Sequence, residues 1–178
     1  MKKLLIPFIF TIAVLFQSCK GPDGPQGPAG ADGLIGQTAE IENVNFTSAN
    51  GWELRRTFSS VNLGFVESDV ILVYVLWGAP NNTPIWRLVP QAIDSSRGIF
   101  YNFDFTPSDF TLFIEAPDNV NLGTLSTTFT QNQTFRIVAI PSEFNSRKSG
   151  PAVDYNDYEA VKKYYNLDES KVVKVKAN

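Results

Sequence analysis

Few residues in this chain are of types that commonly act in catalysis or bind metal ions. The sequence contains no histidine and a single cysteine, Cys19. Nucleophile systems that rely on an imidazole base, and metal sites built from histidine, are therefore excluded. The glycine-rich motifs of phosphate and dinucleotide sites and the GxSxG nucleophile turn are also missing. We predict that the protein is not an enzyme and that it holds no cofactor or metal.

Paired carboxylates are the remaining catalytic possibility, because hydrolysis by two carboxyl groups needs no histidine. The candidates lie in or beside predicted strands and are Glu53, Asp94, Asp104, Asp109 and Glu115. Their positions correspond to outward strand faces and turns, where acidic side chains are usually solvated. We favour solvated surface carboxylates over a hydrolytic pair.

A second oxygen-rich group near the C terminus could hold a structural calcium ion. It comprises Asp154, Asn156, Asp157, Asp168 and Glu169. An EF-hand loop starting at Asp154 would place Glu159 where the loop needs glycine. A helix capping box, with Asn156 as the N-cap and Glu159 reaching back to it, explains the segment more simply.

Two tryptophans offer a third kind of site. Trp77 and Trp86 flank a turn-rich loop at residues 78–84 and could meet across a hairpin. Exposed tryptophans stack on sugar rings, so this pair is a candidate glycan platform. The alternative is that both rings fill the core, as large aromatic side chains of β proteins commonly do. We favour the core interpretation.

Cys19 has the clearest local context. Lys2 and Lys3 precede an apolar run at residues 4–16, which is too short to span a bilayer and has the length of a signal-peptide core. A small residue, Ser18, then stands directly before the cysteine. This arrangement resembles the lipobox of bacterial lipoproteins, which implies cleavage after residue 18 and acylation of Cys19. Several acyl chains would anchor the protein to a membrane essentially permanently.

A glycine occurs at every third position after the cysteine. The repeat glycines are Gly21, Gly24, Gly27, Gly30, Gly33 and Gly36. This is the collagen repeat, in which only glycine fits the axis of the triple helix. Six triplets are marginal for a free-standing triple helix, so we interpret residues 19–38 as an extended spacer. Its eighteen repeat residues, 21–38, reach at most about 55 Å. A homotrimer formed through these triplets is the alternative.

The charge balance bears on possible partners. Loss of Lys2 and Lys3 with the signal peptide leaves 13 basic residues against 18 acidic ones, a formal net charge of −5. An acidic chain argues against nucleic acid and against polybasic contact with an anionic membrane. The remaining partners are the membrane, through the lipid on Cys19, and an unidentified protein or glycan.

Residues 39–178 have the composition of one folded β domain. Apolar or alternating runs, broken by Gly, Pro and Asn, occur at residues 41–47, 52–58, 70–77, 85–89, 99–105, 110–116, 134–140 and 172–176. The uninterrupted run at 70–77 predicts a strand buried on both faces and paired in a hairpin with 85–89. Prolines beside the second strand predict an edge position. The expected fold is a mainly β antiparallel sandwich of eight or nine strands.

One helix is predicted near the C terminus. Tyr158, Val161 and Tyr165 lie at helical spacing and would form its buried face, with Asn166 closing the helix. The alternating residues 172–176 follow, and their lysines suit an edge strand.

The lipobox, the GPxGPxG run and the strand-rich block from residue 67 to residue 144 together resemble collagen-like bacterial lipoproteins. The resemblance implies a lipid-anchored envelope protein without an assigned activity, and Lys20 after the cysteine implies sorting to the outer membrane. We expect a protein that presents a β domain for interaction or structural work. The alternative is a surface lipoprotein that binds a glycan or another ligand through exposed aromatic side chains.

Overall fold

A computed structural model of the protein describes residues 36–142 and 153–177. In this part of the chain nine strands occur: β1 (Gln37–Val44), β2 (Glu53–Thr57), β3 (Val70–Gly78), β4 (Ile85–Leu88), β5 (Gln91–Asp94), β6 (Ile99–Phe105), β7 (Asp109–Glu115), β8 (Gln133–Ile140) and β9 (Val173–Lys176). Two α-helices accompany them: α1 (Thr127–Thr130) and α2 (Tyr158–Tyr165). The predicted signal peptide, Cys19 and the glycines from Gly21 to Gly33 lie outside the described residues.

The strands form two sheets. Sheet A has the order β4-β3-β8-β1-β9, and sheet B has the order β2-β7-β6-β5. Neighbouring strands are antiparallel except β1 and β9, which pair in parallel. The prediction of a mainly β protein is therefore confirmed, and the two sheets share one core, as a β-sandwich requires.

Aromatic side chains fill the space between the sheets. Phe135 of sheet A meets Tyr101 of sheet B edge to face, with ring centroids 5.4 Å apart. Phe46 packs edge to face on Phe135 at 5.9 Å. The Tyr101 hydroxyl donates to the carbonyl of Phe129 at 2.6 Å, so its polar end is satisfied inside the core. Each such side chain contributes about 1.5–3 kcal/mol by burial.

The outer face of sheet A is covered by α2. Tyr158, Val161 and Tyr165 are buried there against Tyr74 and Val138, which confirms the predicted helix face. Strand β3 is consequently buried on both faces, and β4 is the edge strand that the flanking prolines predict. Asn166 ends α2 in the left-handed conformation, as expected.

The predicted N-cap of this helix is wrong. Asp157, not Asn156, precedes α2, and its carboxylate accepts from the backbone N–H of Ala160 at 3.1 Å. Asn156 instead donates to the carboxylate of Asp154. Glu159 does not reach back, because it forms an ion pair with Lys162 in the next turn. Either residue type can cap a helix, so the sequence alone left the start uncertain by one position.

Other boundaries also differ from prediction. Strand β1 begins at Gln37 rather than at residue 41, and a bulge at Asn43 (φ 60°) keeps Ile41 and Val44 on the same side. Strand β5 follows Pro90 directly and was not predicted. The connection before β8 contains the short helix α1, whereas the sequence predicts only the C-terminal helix.

Gly36 belongs to this domain. A Cβ atom at Gly36 would lie 2.5 Å from Cδ2 of the buried Leu167, and the next residue starts β1. A larger residue at the last position of the threefold repeat would thus force the buried side chain of Leu167 to shift.

We therefore predict that Gly36→Ala destabilises the domain. The added methyl group displaces Leu167, and overpacking of this kind costs about 1 kcal/mol or somewhat more. Gly78→Ala is the matched control, because nothing lies within 4 Å of a Cβ at that position. Urea denaturation of the two variants measures the difference in stability. Equal midpoints would show that packing in the domain does not depend on glycine at position 36.

Candidate functional site

The structure does not bring the two candidate tryptophans together. Leu76 lies opposite Trp86 in the β3–β4 ladder, so Trp77 points to the other face of sheet A. Trp77 packs on Phe129 at a centroid distance of 6.1 Å, with the guanidinium of Arg87 4.1 Å from its ring. The expectation that they meet across the hairpin is wrong, because adjacent strand residues point to opposite faces.

Trp86 lies on the outer face of sheet A, beside α2. The guanidinium of Arg136 stacks 4.2 Å from its ring, and the ring of Tyr158 lies 6.0 Å away. Its indole nitrogen is buried and has no hydrogen-bond partner among the described residues. Trp86 therefore packs beside the helix, and Arg136 occupies a position on its ring where a sugar would have to stack.

Arg136 is the centre of a buried ionic network. Its guanidinium donates to Glu40 at 2.8 Å and to Glu169 at 3.0 Å. Lys174 of β9 also pairs with Glu40 at 2.9 Å. The hydroxyl of Tyr158 accepts from Arg136 and donates to Glu169. The network joins β8, β1, α2 and β9, and thereby fastens the C-terminal segment to sheet A.

The protonation states suit this structural role. Burial tends to raise the pKa of Glu40, but hydrogen bonds from Lys174 and Arg136 outweigh it and hold that pKa below its ordinary value. Burial raises the pKa of Tyr158, which keeps the phenol protonated. The buried part of the network therefore pairs an ionised Glu40 with Arg136 and adds the neutral phenol of Tyr158 as a donor.

The candidate carboxylates fall into two sets. Asp94 accepts from Ser96 and Arg97, which lowers its pKa to about 2, and Glu115 accepts from Asn102 at 2.6 Å. Glu53, Asp104 and Asp109 come together around Arg55 on the outer side of sheet B. The sequence predicts that these residues lie on outward strand faces, but it does not predict that β2, β7 and β6 are neighbours in one sheet.

We call the outward side of β2, β7 and β6 the open face. Its side chains are exposed or half-buried, and no described element covers them. Two adjoining depressions of about 560 and 430 Å³ occupy it. The open face consists of Glu53, Arg55, Phe100, Asn102, Asp104, Asp109, Thr111, Phe113 and Glu115.

An ion pair organises the middle of the open face. Nη2 of Arg55 lies 2.6 Å from the carboxylate of Asp109, which also accepts from the hydroxyl of Thr106 at 2.7 Å. The Thr106 hydroxyl and then Arg55 lower the pKa of Asp109. Asp109 is thus an ionised, fixed acceptor, which is the opposite of what a general acid requires.

The proposed calcium ligands serve local structure instead. Asp154 accepts from Asn156, Asp157 caps α2, and Asp168 accepts from the backbone N–H of Ser170. Glu169 belongs to the Arg136 network. Within residues 36–142 and 153–177, no group of three or more acidic, cysteine or histidine side chains is arranged to hold a metal ion.

Comparison of this chain with protein-family models, with curated proteins and with solved structures found no match. None of the helices in the described ranges is long and apolar enough to cross a membrane.

Proposed function

We propose that the protein is a lipid-anchored envelope lipoprotein whose β domain binds a partner through the open face. In this proposal Cys19 carries the lipid, and the glycine-spaced segment holds the domain away from the membrane. Lys20 favours the outer membrane as the site of anchoring. The function is binding rather than catalysis.

The observation that carries the proposal is the difference between the two outer faces of the sandwich. The outer face of sheet A is covered by α2, and its charged and aromatic groups are paired with one another. The open face of sheet B keeps two half-buried phenylalanines, Phe100 and Phe113, among polar side chains. Aromatic side chains flanked by polar ones are typical of binding surfaces.

Metabolic labelling with radioactive palmitate tests the anchor. We expect the wild-type protein to incorporate label and to partition into the detergent phase of Triton X-114. Cys19→Ala should abolish both, because the only thiol of the chain is lost. Lys20→Asp is the matched control: it should keep the label while changing the membrane to which the protein is sorted. Label that persists in Cys19→Ala would refute lipid anchoring at this residue.

A further inference from the structure

We infer that the open face binds a neutral polysaccharide. This inference rests on the proposed function, since it names the ligand class of the same face.

The register of sheet B makes the open face continuous. Phe113 of β7 lies directly between Glu53 of β2 and Asn102 of β6. Thr111 lies in the same way between Arg55 and Asp104. These two sets of cross-strand neighbours connect the two depressions. Strand β7, which runs along them, spans about 20 Å at roughly 3.4 Å per residue. An extended ligand fits this surface better than a small molecule does.

Several polar groups of the open face are free to bind. The side chains of Glu53, Asp104 and Thr111 have no hydrogen-bond partner among the described residues, whereas Asp109 is fixed by Arg55. Arg55 bonds through Nε and Nη2, which leaves Nη1 as a donor beside the free carboxylates. The face therefore offers free acceptors and a held donor within one depression.

The charged side chains of the open face favour some classes of ligand over others. Unpaired carboxylates repel anions, so phosphates, nucleic acids and acidic polysaccharides are disfavoured. Arg55 is paired with Asp109, so the other carboxylates leave the face acidic, and a lysine- or arginine-rich segment is the competing ligand that the cationic probe tests. Hydroxyl groups both donate and accept, and they satisfy carboxylates and a guanidinium at once. The half-buried ring of Phe113 supplies an apolar surface for the C–H side of a sugar ring.

The test uses the full-length lipidated protein in detergent micelles. Its binding is measured to immobilised neutral polysaccharides (a glucan, a mannan, a xylan and a galactan), with heparin as an anionic probe and poly-L-lysine as a cationic probe. We expect saturable binding to at least one neutral polysaccharide that persists at high salt, because it does not depend on net charge.

Two variants connect binding to the open face. Phe113→Ala should weaken binding at least tenfold, and Asp104→Asn should weaken it about tenfold, the loss expected for one hydrogen bond to a charged group. Asp104 is exposed, so this variant remains informative if Phe113→Ala does not fold. Asp118→Asn, an equally exposed change outside the face, should bind like the wild type.

The negative outcomes are distinct. Binding to poly-L-lysine alone, lost in Asp104→Asn, would replace the inferred ligand by a cationic partner. Binding to no neutral polysaccharide, or binding that both open-face variants retain, would overturn the inference. The palmitate labelling reads out the anchor independently, so either result leaves the test of anchoring at Cys19 unaffected.

Discussion

Replacing Arg136 with methionine should lower the free energy of unfolding by about 2–3 kcal/mol, because the buried carboxylate of Glu40 loses one of its two charged partners. Lys174, which is largely exposed, remains paired with Glu40. The side chains of Arg136 and Glu40 are only 7% and 6% exposed, so water cannot replace the lost contacts. Methionine keeps much of the arginine stem, which limits the cavity. The stability change is measured by urea denaturation of the wild type and variant under identical conditions.

The matched control is Arg55→Met. Arg55 forms an ion pair as short as any in the Arg136 network, at 2.6 Å, but its side chain is 64% exposed. Exposed pairs contribute little, so this variant should unfold at nearly the wild-type midpoint. Equal losses for the two arginines would contradict the idea that burial makes the Arg136 network important.

A double variant separates charge from packing. In Arg136→Met combined with Glu40→Met, both members of the most buried pair become apolar, and Lys174 loses a partner while remaining largely exposed. Buried ion pairs replaced by apolar side chains are often as stable as the original. We therefore expect most of the loss in Arg136→Met to be recovered in the double variant.

The parts of the fold that the sequence predicts are those with local periodicity. The eight apolar residues from Val70 to Trp77 indicate a strand buried on both faces, and β3 is one. The helix face of Tyr158, Val161 and Tyr165 follows from spacing alone. Strand β5 escaped prediction because it is only four residues long and its sequence, QAID, does not alternate polar and apolar side chains.

The parts that the sequence does not predict depend on distant contacts. Arg136 and Glu40 are separated by 96 residues, and each lies in an otherwise ordinary strand. A charged residue within the apolar run of β8 was the available signal that a partner must exist. The open face likewise needs the order of β2, β7 and β6, which no local pattern specifies. The proposed lipidation of Cys19, by contrast, depends only on the residues around it in the sequence and not on the fold.

Helix α2 distinguishes the two outer faces of the sandwich, because it covers sheet A while no described element covers the open face of sheet B. Val161 is 0% exposed between α2 and sheet A. Val161→Asp should destabilise the attachment of α2 by about 4 kcal/mol or more, because an unpaired carboxylate would be buried. The helix can avoid that burial by detaching from sheet A. Detachment would also break the Arg136 network, since Tyr158 lies on the same helix.

Hydrogen exchange and dye binding distinguish local detachment from global unfolding. If α2 detaches, its amides lose protection while β6 and β7 keep theirs, and the uncovered face of Tyr74 and Val138 binds an apolar dye. Lys163→Asp, on the exposed side of the same helix, should cost less than about 1 kcal/mol. Full protection of α2 in Val161→Asp would contradict its role as the cover of sheet A. A detached helix would expose a second apolar surface, and polysaccharide binding by the intact open face should be unchanged.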